Sequence, residues 1–77
     1  MTAQERQERI VRDPNVLGGK PIVNGTRISV EHVLGMLAEG MTEAQICHSY
    51  PRLTADDVRA CVIFAAALVQ REHPSAA

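Results

Sequence analysis

Apolar residues recur at Val30, Val33, Leu34, Leu37 and Ala38, the spacing of one face of an amphipathic helix. Ser29 stands at the N-cap position and Gly40 just past the end, so the pattern predicts a helix between them, with Gly35 as an internal weak point. Thr42 with Gln45 is a capping box. It predicts a second helix that runs through Ile46 and stops near Tyr50, because Pro51 disfavours helical geometry in the residue before it. Thr54 with Asp57 repeats the signal and opens a third helix, from Ala55 to about Arg71, ended before Pro74. Upstream of Ser29 the period shortens. Ile10-Val11 reads as a short strand closed by Asp13-Pro14, and Gly18-Gly19-Lys20-Pro21 as a second break. Ile22 to Ile28, with Asn24-Gly25 inside it, reads as a β-hairpin or as an irregular arm turning at Gly25. Met1 to Glu8 is polar and reads as a frayed terminus. The expected fold is therefore mostly α, a short N-terminal β-hairpin or arm followed by three helices in a helix-turn-helix-like order. The expected organisation is a flexible segment over 1–8, a single domain over 9–71 and a short tail over 72–77.

The third predicted helix is apolar without a break from Ala60 to Val69. A membrane span needs about 20 such residues, and Asp56, Asp57, Arg59, Gln70 and Arg71 crowd both ends, so a spanning reading fails. A helix apolar all round is covered on more than one side. Val58, Cys61, Val62, Ala65, Leu68 and Val69 form the face expected to turn inward, which leaves Ala60, Ile63, Phe64 and Ala67 on a second face. Either the N-terminal arm folds over that second face or a twofold partner covers it. The preferred expectation is a homodimer sealed by Ala60, Ile63, Phe64 and Ala67.

Length points the same way, since a domain of this size buries only about 60% of its unfolded surface and needs a disulfide, a metal or a partner. Cys47 and Cys61 occupy apolar helical positions and read as small core hydrophobes. His32, His48 and His73 are scattered, and the neighbours Cys47 and His48 diverge by about 100° on a helix, a poor chelating pair. No metal and no cofactor is expected. The N-terminal residues are charged and hold no apolar run of a secretory leader, so the chain reads as cytoplasmic.

The net charge of −1 is unevenly placed. Residues 1–30 set Arg6, Arg9, Arg12, Lys20 and Arg27 against Glu5, Glu8 and Asp13, whereas the remainder is acidic, so an anionic partner should meet the N-terminal part. Catalytic readings fail. Gly19-Lys20 lacks a phosphate loop's frame, with Pro14 where the first glycine belongs and Pro21 where a Ser or Thr belongs. Ser29 and Ser49 lack a histidine and carboxylate in a nucleophile setting, and Asp56-Asp57 suits the first turn of a helix better than acid-base work. No catalytic residue and no small-molecule substrate is expected, and the chain reads as a binding protein rather than an enzyme.

The order Ile10 to Asp13-Pro14, Gly19-Lys20-Pro21-Ile22-Val23, Gly25-Thr26-Arg27-Ile28, Gly40-Met41-Thr42, Tyr50-Pro51 and Leu53-Thr54 resembles the domain-of-unknown-function family 433 over about residues 9–70. The resemblance implies a dimeric, arm-bearing helix-turn-helix fold and a VapB-like antitoxin. Such an antitoxin would neutralise a PIN-like ribonuclease toxin and repress its own operon by binding operator DNA. On that reading Arg9, Arg12, Lys20 and Arg27 of the arm, with Arg52, Thr54 and Arg59 of the helix-turn-helix, are the DNA-binding candidates. Arg71 is the toxin-binding candidate, because little chain follows the third helix. Arg27 has a second expected role, bracing the arm against Glu31. Asp56 and Asp57 sit where phosphates would approach, so the competing reading is a dimeric protein-protein adaptor that binds no nucleic acid.

Overall fold

The computed structural model describes residues 1–72. In chain order the elements are α1 (Ala3–Arg9), β1 (Ile10–Arg12), a 3₁₀ turn (Leu17–Gly19), β2 (Pro21–Val23), α2 (Val30–Ala38), α3 (Glu43–Ser49) and α4 (Ala55–Glu72). The three predicted helices form within a residue or two of their expected limits, and their caps explain why. The Ser29 hydroxyl accepts from the His32 amide at 2.9 Å. At α3 the Thr42 hydroxyl accepts from the Gln45 amide while the Gln45 side chain accepts from the Thr42 amide, a closed capping box. Thr54 and Asp57 close the same box at α4, where the Asp57 amide donates to Thr54 Oγ1 and the Thr54 amide donates to Asp57 Oδ2.

One core joins these helices to the strands. Val23 from β2, Val30 and Val33 from α2, Ile46 from α3, Leu53 from the connecting turn, and Val58 and Cys61 from α4 are all buried in one cluster. Ile46, the largest of the fully buried side chains, shows why two-turn α3 holds its place: it fixes the helix in the core, with Cys47 and Tyr50 packing beside it.

Two expectations are corrected upstream. The segment read as a flexible terminus is helical over Ala3–Arg9, with Thr2 Oγ1 accepting from the Glu5 amide as its N-cap. The strand pairing also differs from the Asn-Gly hairpin. The sheet pairs β1 antiparallel with β2, Ile10 opposite Val23 and Arg12 opposite Pro21, with the reversal made through Gly18 and Gly19 at positive φ. Across Asn24-Gly25 only a single bridge, Ile22 to Ser29, remains. The Thr26 hydroxyl is the reason: it donates to the Val23 carbonyl and accepts from the Ile28 amide, competing for the backbone groups a longer ladder would use.

Cys61 behaves as the small core hydrophobe expected of it. Burial, reinforced by the nearby Asp57 carboxylate, pushes its thiol from the usual value near 9 up to about 12. The folded state thus favours the neutral thiol. That contribution to stability is fully present below about pH 9 and is lost as the pH rises toward 12. Cys47 is half-buried and Cys61 fully buried, so the native protein should show one thiol reactive toward a disulfide reagent at neutral pH and two once unfolded. Equal reaction of both thiols in the native state would contradict the packing.

Candidate functional site

Arg9, expected to meet nucleic acid, is turned inward. It closes α1 and reaches across to the start of α4, where its Nη1 donates to Asp57 Oδ1 at 2.9 Å, and its Nη2 lies 3.7 Å from Asp56 Oδ2. The hydrogen bond with Asp57 raises the guanidinium pKa further above its usual value. This clasp joins residues 48 apart in sequence. Because α1 buries none of its own residues, the clasp and the apolar lining beneath the helix are what dock it.

The remaining candidates divide by location. Thr54 spends its hydroxyl on the Asp57 amide. Arg59 Nη2 lies 3.7 Å from Glu43 Oε2 of α3, and Arg52 Nη1 donates to the Gly25 carbonyl at 3.3 Å, holding the Asn24-Gly25 turn to the α3–α4 connection. Lys20, rather than Arg27, pairs with Glu31, at 3.3 Å, which corrects the expected Arg27 brace. Arg27 is exposed and makes no ion pair among the described residues, as is true of Arg12 on β1 and Arg71 on the last turn of α4. The α3–turn segment and the first turns of α4 therefore offer no unengaged arginine among the described residues, with Asp56 exposed at the start of α4, whereas the hairpin side gathers Lys20 and Arg27 around one cleft.

The two apolar faces of α4 take the places expected of them only in part. Ala60 is only 2% exposed and Phe64 packs against the core, and both, with Ile63 and Ala67, line a 330 Å³ groove whose other wall is Ala3, Gln7 and Ile10. The face expected at a dimer seam is thus partly sheltered by α1: Ala60 is buried, Ile63 and Phe64 are half-buried, and Ala67 stays exposed along the groove. Conversely, the face expected to turn inward does so only at Val58 and Cys61. Farther along it Val62 is 44% exposed, Leu68 37% and Val69 59%. The reason is length: α4 runs to about 27 Å, while its buried residues end at Cys61, so the second half outreaches the elements that pack on it. The candidate site is this distal half, an apolar stripe of Val62, Leu68 and Val69, with half-buried Ala65 between them, that the described residues leave exposed.

Sequence reasoning missed the Arg9 clasp and the Thr2 cap. Only the second had a local signal, Thr2 followed three residues on by Glu5.

The described residues form a small, α-dominated domain, four helices with a two-stranded antiparallel sheet. Residues 10–65 match the family model DUF433, a protein of unknown function, and the chain belongs to this family. An uncharacterized protein of Sinorhizobium fredii, y4eO, is 34% identical over 61 residues, which is 79% of this chain and 28% of that protein. A crystal structure of a DUF433 member protein from Anabaena variabilis superposes with a TM-score of 0.72 at 28% identity, covering 92% of this chain and 65% of that one. The chain thus spans about a quarter of the curated relative and under two thirds of the crystallised one. No helix among the described residues is long and apolar enough to cross a membrane, and they hold no metal-binding cluster.

Proposed function

We propose that the chain is a protein-binding module, the antitoxin member of a toxin-antitoxin pair, which seats its protein partners on the distal half of α4. The observation that carries the protein-binding part is the exposure of Val62, Leu68 and Val69 on one helix. The antitoxin part rests on the family resemblance, whose implied partner is a PIN-like ribonuclease. In the isolated protein the stripe seats a second copy, giving a homodimer. In the complex, the ribonuclease meets the same helix end, where Arg71 supplies a positive charge beside the apolar stripe.

Operator binding through the start of α4 has weaker support, because Asp56 stands exposed in its first turn and Arg9 and Thr54 are engaged with Asp57. These engagements favour the adaptor reading for the α3–turn–α4 face.

The test is to purify the chain with the PIN-like ribonuclease of an adjacent reading frame and to follow RNA cleavage. Stoichiometric inhibition, lost in Val69→Asp while the helical spectrum is unchanged, is the expected result. A ribonuclease that cleaves equally fast in excess antitoxin would end the antitoxin reading.

A further inference from the structure

We propose that the cleft between the 3₁₀ turn, the Gly25 turn and the start of α2 is a binding site for a nucleotide unit, its phosphate held by Lys20 and Arg27. The proposal stands apart from the toxin-neutralising reading, whose site is on α4. Three observations carry it.

The cleft has a volume of 570 Å³, and the charged side chains on its walls are Lys20 and Arg27, with no carboxylate among the lining residues. Arg27 has no ion-pair partner among the described residues. Lys20 does, but its pairing with Glu31 joins two side chains that are 59% and 74% exposed, a contact weak enough for the ammonium to turn to a better anion. A guanidinium fork and a mobile ammonium are the pair that matches a phosphate in both charge and donor geometry.

The polar wall is organised in advance. His32 Nε2 and the Tyr50 hydroxyl lie 2.9 Å apart, and the two rings meet edge to face at 84°. This contact ties α2 to the end of α3 and fixes both rings at the cleft. Ser29, the cap of the nine-residue α2, lines the same space, so the positive end of that helix adds to the field of the two cations.

The third observation is Leu17. Its φ of 50° makes it the one non-glycine residue among the described residues held in the left-handed region, followed by Gly18 and Gly19, which adopt that region freely. Its side chain is 46% exposed, so the fold holds a leucine in a strained conformation without burying it in return. It lines the cleft together with Ile28 and Tyr50, so the same space offers apolar surface as well as the two cations. Inorganic phosphate has no use for such a surface. A ring carried on a phosphate does.

The experiment is an amide-shift titration of the full 77-residue chain with inorganic phosphate, adenosine monophosphate and a short single-stranded RNA. Saturable shifts confined to the 3₁₀ turn and to residues around Arg27 to His32 are expected. Lys20→Ala with Arg27→Ala should weaken the mononucleotide by about tenfold or more, as for the loss of two charge-assisted contacts. Leu17→Gly relieves the strained φ and keeps the fold; it should weaken the mononucleotide and leave inorganic phosphate unchanged. If the RNA binds more tightly than the mononucleotide with the same Lys20 and Arg27 dependence, the cleft is supported and the source is a strand. Equal binding supports it with the free nucleotide as source. The absence of saturable shifts with all three probes would overturn the proposal. So would an equal loss in Arg12→Ala, which removes an exposed cation on β1 that does not line the cleft.

Discussion

Asp57→Ala is expected to lower the stability of the domain by about 2 to 3 kcal/mol, a fall of roughly 15 °C in Tm for a chain of this size. Asp57 is 7% exposed, and its carboxylate has two partners at 2.9 Å, the Thr54 amide and Arg9 Nη1. Removing it opens the capping box of the longest helix, which by itself costs about 1 kcal/mol. It also leaves the Thr54 amide and the Arg9 guanidinium without their main acceptor, and Arg9 Nε is already buried without a partner. Since α1 buries none of its own residues, releasing the clasp should also free α1 from α4. Melting and far-ultraviolet dichroism check both parts. Asp57→Asn separates them, because an amide oxygen can still accept the Thr54 hydrogen bond while the charge opposite Arg9 is lost. Its loss should fall between those of wild type and alanine. A change within about 0.5 kcal/mol for Asp57→Ala would place the residue among ordinary surface substitutions and refute the clasp.

What was legible in the sequence was local. The caps at Ser29, Thr42 and Thr54 act over three residues, so the same spacing that suggested them makes them in the structure. The 3.6-residue period placed Val30 and Val33 in the core for the same reason. What was not legible depended on distant partners. No local pattern tells that Arg9 will meet Asp57 across 48 residues, and a cation in the basic N-terminal part reads as free for an anionic partner until that contact is seen. The α4 faces follow from this. Once Arg9 docks α1 along α4, Ile63 and Phe64 are sheltered, and Val62 and Val69, indistinguishable from them by hydropathy, are left outside. In the hairpin region, Asn-Gly was a sound turn signal. The competing hydroxyl of Thr26 shortened the pairing it introduces to one bridge.

That rearrangement decides which substitution tests the distal face of α4. Phe64 packs against the core, so a charge there would unfold the domain whether or not a partner binds. Val62 and Val69 are about half exposed in the single chain, so aspartate at both should leave the fold intact and disturb only what covers them. Covering Val62, Leu68 and Val69 in a complex contributes roughly 1 kcal/mol each from the surface still exposed. Two copies therefore gain several such contributions across a twofold axis, and a buried charge on each side would cancel them. The decisive measurement is the mass in solution by light scattering of the wild type and of the Val62→Asp/Val69→Asp variant. The wild type should have twice the 8.4 kDa chain mass, with a melting temperature that rises with concentration, and the variant should be a folded monomer. A wild type that stays monomeric, or a variant that pairs as the wild type does, would contradict the assignment of this face to protein binding.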